Sequence, residues 1–183
     1  MPRVLVPLAQ GCEELEAVTI IDLLRRAGIE VVTAGLDDKP VVASRKTVLL
    51  PDTTLDQIID QTFDMIVLPG GLPGADNLRD DPRIIDLLRR HHQSGHFVGA
   101  ICAAPKVLAQ AGLLEGHTAT SYPGTLDALG ETSIRISNDP VVVDDRIVTS
   151  RGPGTAMDFA LTLIEKLLSP EKRAEVETPL CRT

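Results

Sequence analysis

An α/β protein with a mostly parallel sheet is predicted by three observations. The amino-terminal stretch spells strand, helix, strand: apolar Arg3 to Ala9, an amphipathic run from about Glu13 to Ala27 closed by Gly28, and Ile29 to Thr33. Such a βαβ unit is expected to cross over right-handed. Asp64 to Leu68 is dense in apolar residues, as a strand covered on both faces should be, and it runs into the glycine-rich Pro69 to Gly74. A helical stretch from Pro82 to Ser94 then leads to a β-branched, small-residue run that ends on Cys102. Alternation of this kind belongs to flavodoxin-like sheets with helices on both faces. At 183 residues the chain is read as one domain, 1–183, with enough material for a substantial core.

The first helix carries Val18, Ile21 and Leu24 at helical spacing beside Ala17. Glu13 and Glu14 sit in its first turn and Arg25 and Arg26 in its last, where the dipole favours each sign. After the turn Gly35 to Pro40, Val41 to Ala43 and Thr47 to Leu50 suggest a hairpin carrying Ser44-Arg45, followed by a short helix around Leu55 to Asp60. Pro82 opens the next helix and Gly95 follows it. Beyond Cys102, residues Ala103 to Ala109 are mostly good helix formers. Thr118 to Tyr122 reads as a strand, Pro123 to Leu129 as a short helix and Ile134 to Ser137 as an edge strand. Val141 to Val143 and Ile147 to Thr149 form a hairpin across Asp144-Asp145. Thr155 to Leu168 is a strong helix with Thr155 and Asp158 spaced as a capping box, and the tail from Pro170 adds a short one.

Composition excludes several functions. A formal charge of −8 repels phosphate backbones and anionic membranes. The aromatic set is Phe63, Phe97, Phe159 and Tyr122, which offers no stacking platform for bases, so nucleic acid is not an expected partner. The apolar amino terminus is too short for a signal peptide and no run of about 20 apolar residues could span a bilayer, so no membrane association and a cytoplasmic location are expected. Cys12, Cys102 and Cys181 form no close-spaced pair, which argues against a disulfide scaffold or zinc knuckle and fits a reducing compartment.

Ligands of open α/β sheets lie beyond the carboxyl ends of the strands, at the switch in strand order. Three such ends carry unusual chemistry: Gly11 to Glu16, Pro69 to Gly74, and Cys102. Cys102 is either an inert buried residue or a thiol delivered to a helix start, whose N–H groups and dipole stabilise a thiolate. Glu16 is either a solvated acid compensating the dipole or a group pointing across the strand ends to Cys102. In the second case two acids share a desolvated site and one proton serves both. Gly70-Gly71 is a tight turn, or a backbone cradle whose N–H groups join that of Ala103 around an oxyanion. It lacks the lysine and spacing of a P-loop. His91, His92 and His96 read as solvated surface rather than a metal cluster, and no metal is expected. Ser121 and Ser150 show no partners for a serine triad. Cys12, in the loop feeding Glu13 to Glu16, is passive or a second reactive thiol.

The motifs Gly11-Cys12-Glu13-Glu14-Leu15-Glu16, Arg25-Arg26-Ala27-Gly28, Val67-Leu68-Pro69-Gly70-Gly71, Ala100-Ile101-Cys102-Ala103-Ala104-Pro105 and Thr149-Ser150-Arg151-Gly152-Pro153-Gly154-Thr155 resemble the ThiJ/PfpI superfamily. They are most similar to its DJ-one branch and the bacterial YajL-type members. The resemblance spans nearly the whole chain. It implies a homodimer in which Cys102 is the reactive, oxidation-sensitive cysteine, Glu16 its protonated partner, and Gly71 and Ala103 the oxyanion donors. It places Gly70, Tyr122, Cys12, Arg151 and Pro153 around the substrate and an intersubunit network at Glu13, Asp22, Arg26 and Arg45. Tyr122 is a departure, since human-like members carry histidine there; a Cys-His pair is therefore absent, and a phenol of ordinary pKa about 10 is a poor base.

The activity so implied is a glyoxalase without glutathione or a protein deglycase, acting on small dicarbonyl or glycated substrates with no metal or organic cofactor. Cys102 thiolate would add to an aldehyde carbon and Glu16 would move the proton. An enediol then leads to a thioester that water cleaves to lactate or to the free amine. A second reading is a redox-sensing chaperone for misfolded clients, and a third is an amidase or peptidase, which needs a base the chain does not visibly supply.

Overall fold

The computed structural model describes residues 1–182. Its strands are β1 (Arg3–Leu8), β2 (Glu30–Gly35), β3 (Val41–Val42), β4 (Val48–Leu49), β5 (Thr53–Thr54), β6 (Met65–Leu68), β7 (Phe97–Ile101), β8 (Thr118–Ala119), β9 (Arg135–Ile136), β10 (Val141–Asp144) and β11 (Ile147–Ser150). Its helices are α1 (Glu14–Arg26), α2 (Leu55–Ile58), α3 (Gly74–Asp80), α4 (Pro82–Gln93), α5 (Pro105–Gln110), α6 (Ala156–Leu167) and α7 (Pro170–Glu177).

The central sheet has the order β10-β11-β7-β6-β1-β2-β5 and is parallel except for the β10–β11 hairpin. Strand alternation splits its side chains between two cores. Val4, Val6, Leu8, Met65 and Val67 pack with Ile20, Leu24, Phe159 and Leu163 of α1 and α6. Leu5, Ile66, Leu68, Val98 and Ala100 pack with Leu78, Leu88 and Leu108 of α3, α4 and α5. The mostly parallel, flavodoxin-like arrangement is thus the expected one, covered on both faces because its strands are apolar on both.

Strand order reverses between β1 and β6. The chain runs outward through β2 and β5, then returns to the other side of β1. The β1–β6 ladder registers at Val4↔Met65 and Leu5↔Ile66, whereas β1–β2 continues to Leu8↔Gly35. Pro7, which has no N–H, lies past the last β1–β6 pair. The carboxyl ends of β1 and β6 are therefore free to part, and the loops after them can meet a ligand.

The sequence reading did not find the short edge strand Thr53–Thr54, and four further elements differ from it. Gly74–Asp80 is a helix, although Asp76, Asn77 and Asp80 are poor helix formers; its packing on α5 overrides propensity. The helix after Cys102 begins only at Pro105, since Cys102 lies at φ 64 and Ala103-Ala104 complete a turn. Pro123 to Leu129 contains only the 3-10 turn Asp127–Leu129. Arg135–Ile136 pairs with Thr118–Ala119 in a separate ladder rather than edging the main sheet. His91 also departs from expectation. It is buried on α4 with Nε2 2.8 Å from the Phe97 carbonyl, and burial pushes its imidazole down to about 4.

Candidate active site

Glu16 stands in the first turn of α1, just past β1, and is fully buried. Its Oε2 accepts the Gly70 N–H at 2.8 Å, and its carboxyl adjoins the Cys102 side chain, both crowding the place where a Gly70 Cβ would stand. Glu13 caps α1, and its own N–H donates to the Gly70 carbonyl at 2.9 Å, which ties the helix start to the β6 loop. The Gly71 and Ala103 backbone amides favour negative charge on the Cys102 sulfur. The three strand ends singled out in the sequence do converge, and the residues brought together are Glu16, Gly70, Gly71, Cys102 and Ala103.

Glycine is required at both loop positions. A Cβ on Gly70 would stand 2.7 Å from the Cys102 Cβ and 2.8 Å from Glu16 Oε2. Gly71 has φ +90, and a Cβ there would overlap the Glu13 amide. Gly71→Ala therefore combines left-handed strain with a backbone clash and is expected to lower stability by roughly 3 kcal/mol. Chemical denaturation checks this, and a loss below about 1 kcal/mol would show that the loop relaxes freely.

Cys102 occupies the left-handed region at φ 64, an uncommon conformation for a residue with a Cβ. Two hydrogen bonds hold it there. Its N–H donates to the Ser150 carbonyl at 2.9 Å and its carbonyl accepts the Tyr122 N–H at 2.8 Å. Ser150 is itself fixed: its Oγ donates to the Pro140 carbonyl at 2.8 Å and lies 2.6 Å from Thr155 Oγ1. Thr155 does not form the expected capping box with Asp158; its hydroxyl turns back to Ser150 and to Gly152. Sequence reading gave Ser150 and Thr155 no part in holding Cys102, although both lie in the Thr149 to Thr155 motif.

Electrostatics couple the two acids. Burial lifts the Glu16 carboxyl from 4.5 to about 7. Burial and the adjacent Glu16 charge lift the Cys102 thiol from 9.0 to about 12, against the pull of the Gly71 and Ala103 amides. On those values the carboxyl ionises first, whereas the family resemblance puts the proton on Glu16. Two features favour that second arrangement. Glu16 Oε1 is buried without a hydrogen-bond partner, so a carboxylate there is costly, and the amides favour negative charge on sulfur. Either way the pair holds one proton between its two titrations, and the titration belongs to both groups.

The remaining residues fall outside this cluster. Cys12 is fully buried, and desolvation followed by the nearby Glu14 charge pushes its thiol up to about 12. Arg151 turns to the Asn138 carbonyl at 2.9 Å, and Pro153 begins a 3-10 turn. Tyr122 is anchored to Cys102 through its backbone while its ring is exposed. Of the residues expected between subunits, Asp22 and Arg26 form an ion pair on α1, Glu13 accepts from Ser44 Oγ at 2.9 Å, and the Arg45 N–H donates to Glu14 at 2.9 Å. A cleft of about 580 Å³ opens beside Gln10 and Asn77, and Cys102 does not line it. Among the described residues no three His, Cys, Asp or Glu side chains converge as metal ligands, and no helix is long and apolar enough to cross a membrane.

Residues 2–166 match the model of the DJ-1/PfpI family. The chain is 45% identical over 173 residues to Protein dj-1beta of Drosophila melanogaster, covering 94% of this chain and 92% of that one. It is 38% identical over 172 residues to the glutathione-independent glyoxalase DJR-1.2 of Caenorhabditis elegans, with 94% and 91% covered. The crystal structure of Drosophila melanogaster DJ-1beta superposes with a TM-score of 0.95 at 43% identity, covering 100% of this chain and 98% of that one.

Proposed function

The chain belongs to the DJ-1/PfpI family, and from that premise we propose that it is a cysteine-dependent stress-protection enzyme that converts reactive dicarbonyls, or their early protein adducts, without glutathione. The observation that carries this reading is the Cys102 thiol buried against the Glu16 carboxyl beneath the Gly71 and Ala103 amides. A relative that carries the name of a glutathione-independent glyoxalase supports it.

In this mechanism Cys102 adds as thiolate to the aldehyde carbon of methylglyoxal, and the Gly71 and Ala103 N–H groups hold the oxygen of the hemithioacetal. Glu16 then moves a proton from the aldehyde-derived carbon to its neighbour through an enediol. The first carbon becomes a thioester and the second an alcohol, so oxidation and reduction balance within the substrate. Water cleaves the thioester to lactate and returns the thiol. On a glycated amine the same steps would free the amine, which is the deglycase form of the reaction. No step draws on a metal or organic cofactor.

We further propose that the protein works as a cytoplasmic homodimer. An exposed apolar stripe of Leu15 and Val18 on α1 with Met157 on α6 supports this, bordered by the Asp22–Arg26 pair. A second reading, a redox sensor that protects misfolded clients, is favoured by Glu16 Oε1. That atom, buried and unpartnered, could donate a hydrogen bond to an oxygen added to the sulfur. The primary reading is tested by incubating the purified protein with methylglyoxal in the presence of EDTA and without glutathione. Lactate should form, and its absence would reject the glyoxalase reading.

A further inference from the structure

Cys102 stands where a strand ladder stops. Strands β7 and β11 run in parallel register from Val98↔Ile147 to Ile101↔Ser150, and the Cys102 N–H bond to the Ser150 carbonyl lies at the end of that register. There the chain turns through φ 64 at Cys102. A residue with a Cβ keeps that conformation only where its surroundings hold it. Holding it falls to two neighbouring residues of β11, Thr149 and Ser150. Both are fully buried, and strand alternation sends their side chains to opposite faces of the sheet.

Each face carries a brace that reaches one side of Cys102. Toward α6, Ser150 Oγ lies 2.6 Å from Thr155 Oγ1 and 2.8 Å from the Pro140 carbonyl, and Thr155 Oγ1 accepts the Gly152 N–H at 3.1 Å. This closes the step from the end of β11 to the start of α6 and fixes the carbonyl that takes the Cys102 N–H. On the other face, Thr149 Oγ1 accepts the Thr120 N–H at 3.0 Å. Two residues on, the Tyr122 N–H donates to the Cys102 carbonyl at 2.8 Å. Thr120 is fully buried, so removing the Thr149 acceptor leaves its N–H unsatisfied. Both braces end on the Cys102 backbone. They therefore set the direction of its Cα–Cβ bond, and with it the place of the sulfur beside Glu16 and the Gly71 and Ala103 amides.

We infer that Thr149 and Thr155 are positioning residues for the Cys102 nucleophile, their hydroxyls holding from two sides the left-handed turn that places its sulfur. The inference rests on the reading of Cys102 as nucleophile and assigns what keeps it in place. Loss of one hydroxyl lets the turn relax and swings the sulfur away from the groups around it. A displacement of about 1 Å at a reacting atom costs on the order of a hundredfold in rate, and partial loosening costs a share of that.

Thr155→Val and Thr149→Val each remove one hydroxyl with little change of shape, and Thr155→Ser and Thr149→Ser keep it. The pH profile of Cys102 alkylation by iodoacetamide, followed by peptide mass analysis below the onset of thermal unfolding, reads the position of the sulfur. In each valine variant its midpoint should rise by about half a pH unit or more, because the sulfur loses alignment with the amides that favour its charge. In each serine variant it should stay within about 0.2 unit of wild type. With methylglyoxal, kcat should fall about tenfold or more in the valine variants while KM stays within about twofold. A lower melting temperature with an unmoved alkylation midpoint would assign the hydroxyls to stability alone and overturn the inference, as would an equal shift in the serine variants. The two braces are tested separately, so one valine variant that fails to fold leaves the other to decide. Alkylation needs no turnover: if wild type makes no lactate the dicarbonyl reading fails, and the midpoint still decides the positioning role.

Discussion

Replacing Cys102 by serine is expected to lower lactate formation from methylglyoxal by at least about a thousandfold, because the residue that forms the covalent bond is removed. Serine fits the turn at φ 64 and keeps both backbone bonds, to Ser150 and from Tyr122, so the fold is retained. Its hydroxyl titrates far above a thiol, and Glu16, with a carboxyl lifted only to about 7, is too weak a base to activate it. Cys181→Ser is the matched control, since that thiol is exposed near the carboxyl terminus and distant in sequence from the site elements. Lactate production by Cys102→Ser within about tenfold of wild type would refute the nucleophile assignment.

Glu16→Gln should move activity and stability in opposite directions. Activity should fall roughly a hundredfold to a thousandfold, the range of a lost general acid-base group. Glutamine preserves the shape and the acceptor for the Gly70 N–H, so the loss comes from the proton and not from collapse. Stability should rise at neutral and alkaline pH. The folded protein binds the Glu16 proton more tightly than the unfolded chain does, because burial lifts the carboxyl from 4.5 to about 7. The stability this proton supplies is therefore full below pH 4.5 and is lost as pH rises through about 7. Glutamine removes that dependence, and above pH 7 it is worth about 3 kcal/mol to the variant. Urea denaturation of both proteins at several pH values measures it. A variant that is less stable than wild type at pH 8 would contradict the burial argument.

The pattern of opposed effects marks a group kept for chemistry at the expense of the fold. It also shows where sequence reading reached its limit. Continuous apolar runs and helical spacing found the β1, α1 and β2 unit, the apolar β6 and the strand carrying Cys102, because burial on both faces or along one stripe leaves that trace. The same logic missed α3, where Asp76, Asn77 and Asp80 give no helical signal and contact with α5 decides the outcome. It misread Thr155, whose spacing from Asp158 suits a cap but whose hydroxyl is drawn back to Ser150, a contact set by tertiary position.

At the site, sequence order placed Glu16, Gly71 and Cys102 at three strand ends but left each with a bland alternative. Topology brought them together, since the strand-order switch lies between β1 and β6 with β7 beside it. Cys12, open to either role in the sequence, is fully buried in the fold with its thiol raised. The Ser150 and Thr155 clamp on the Cys102 backbone was not legible at all, because main-chain hydrogen bonds between distant loops leave no residue pattern. Nor could sequence order the two acids' titrations, which depend on the depth of the pocket.

The central claim is that Glu16 and Cys102 share one proton and that this sharing makes a thiolate accessible near neutrality. The most direct test is the rate of Cys102 alkylation by iodoacetamide as a function of pH, followed by peptide mass analysis, in wild type and Glu16→Gln. In wild type the rate should rise through about pH 7, where the pair gives up its first proton. In Glu16→Gln the midpoint should leave pH 7, since the thiol then titrates by itself, with neither the shared proton nor the Glu16 charge beside it. Identical midpoints in the two proteins would show that the backbone amides set the thiol's acidity without Glu16, and would contradict the account.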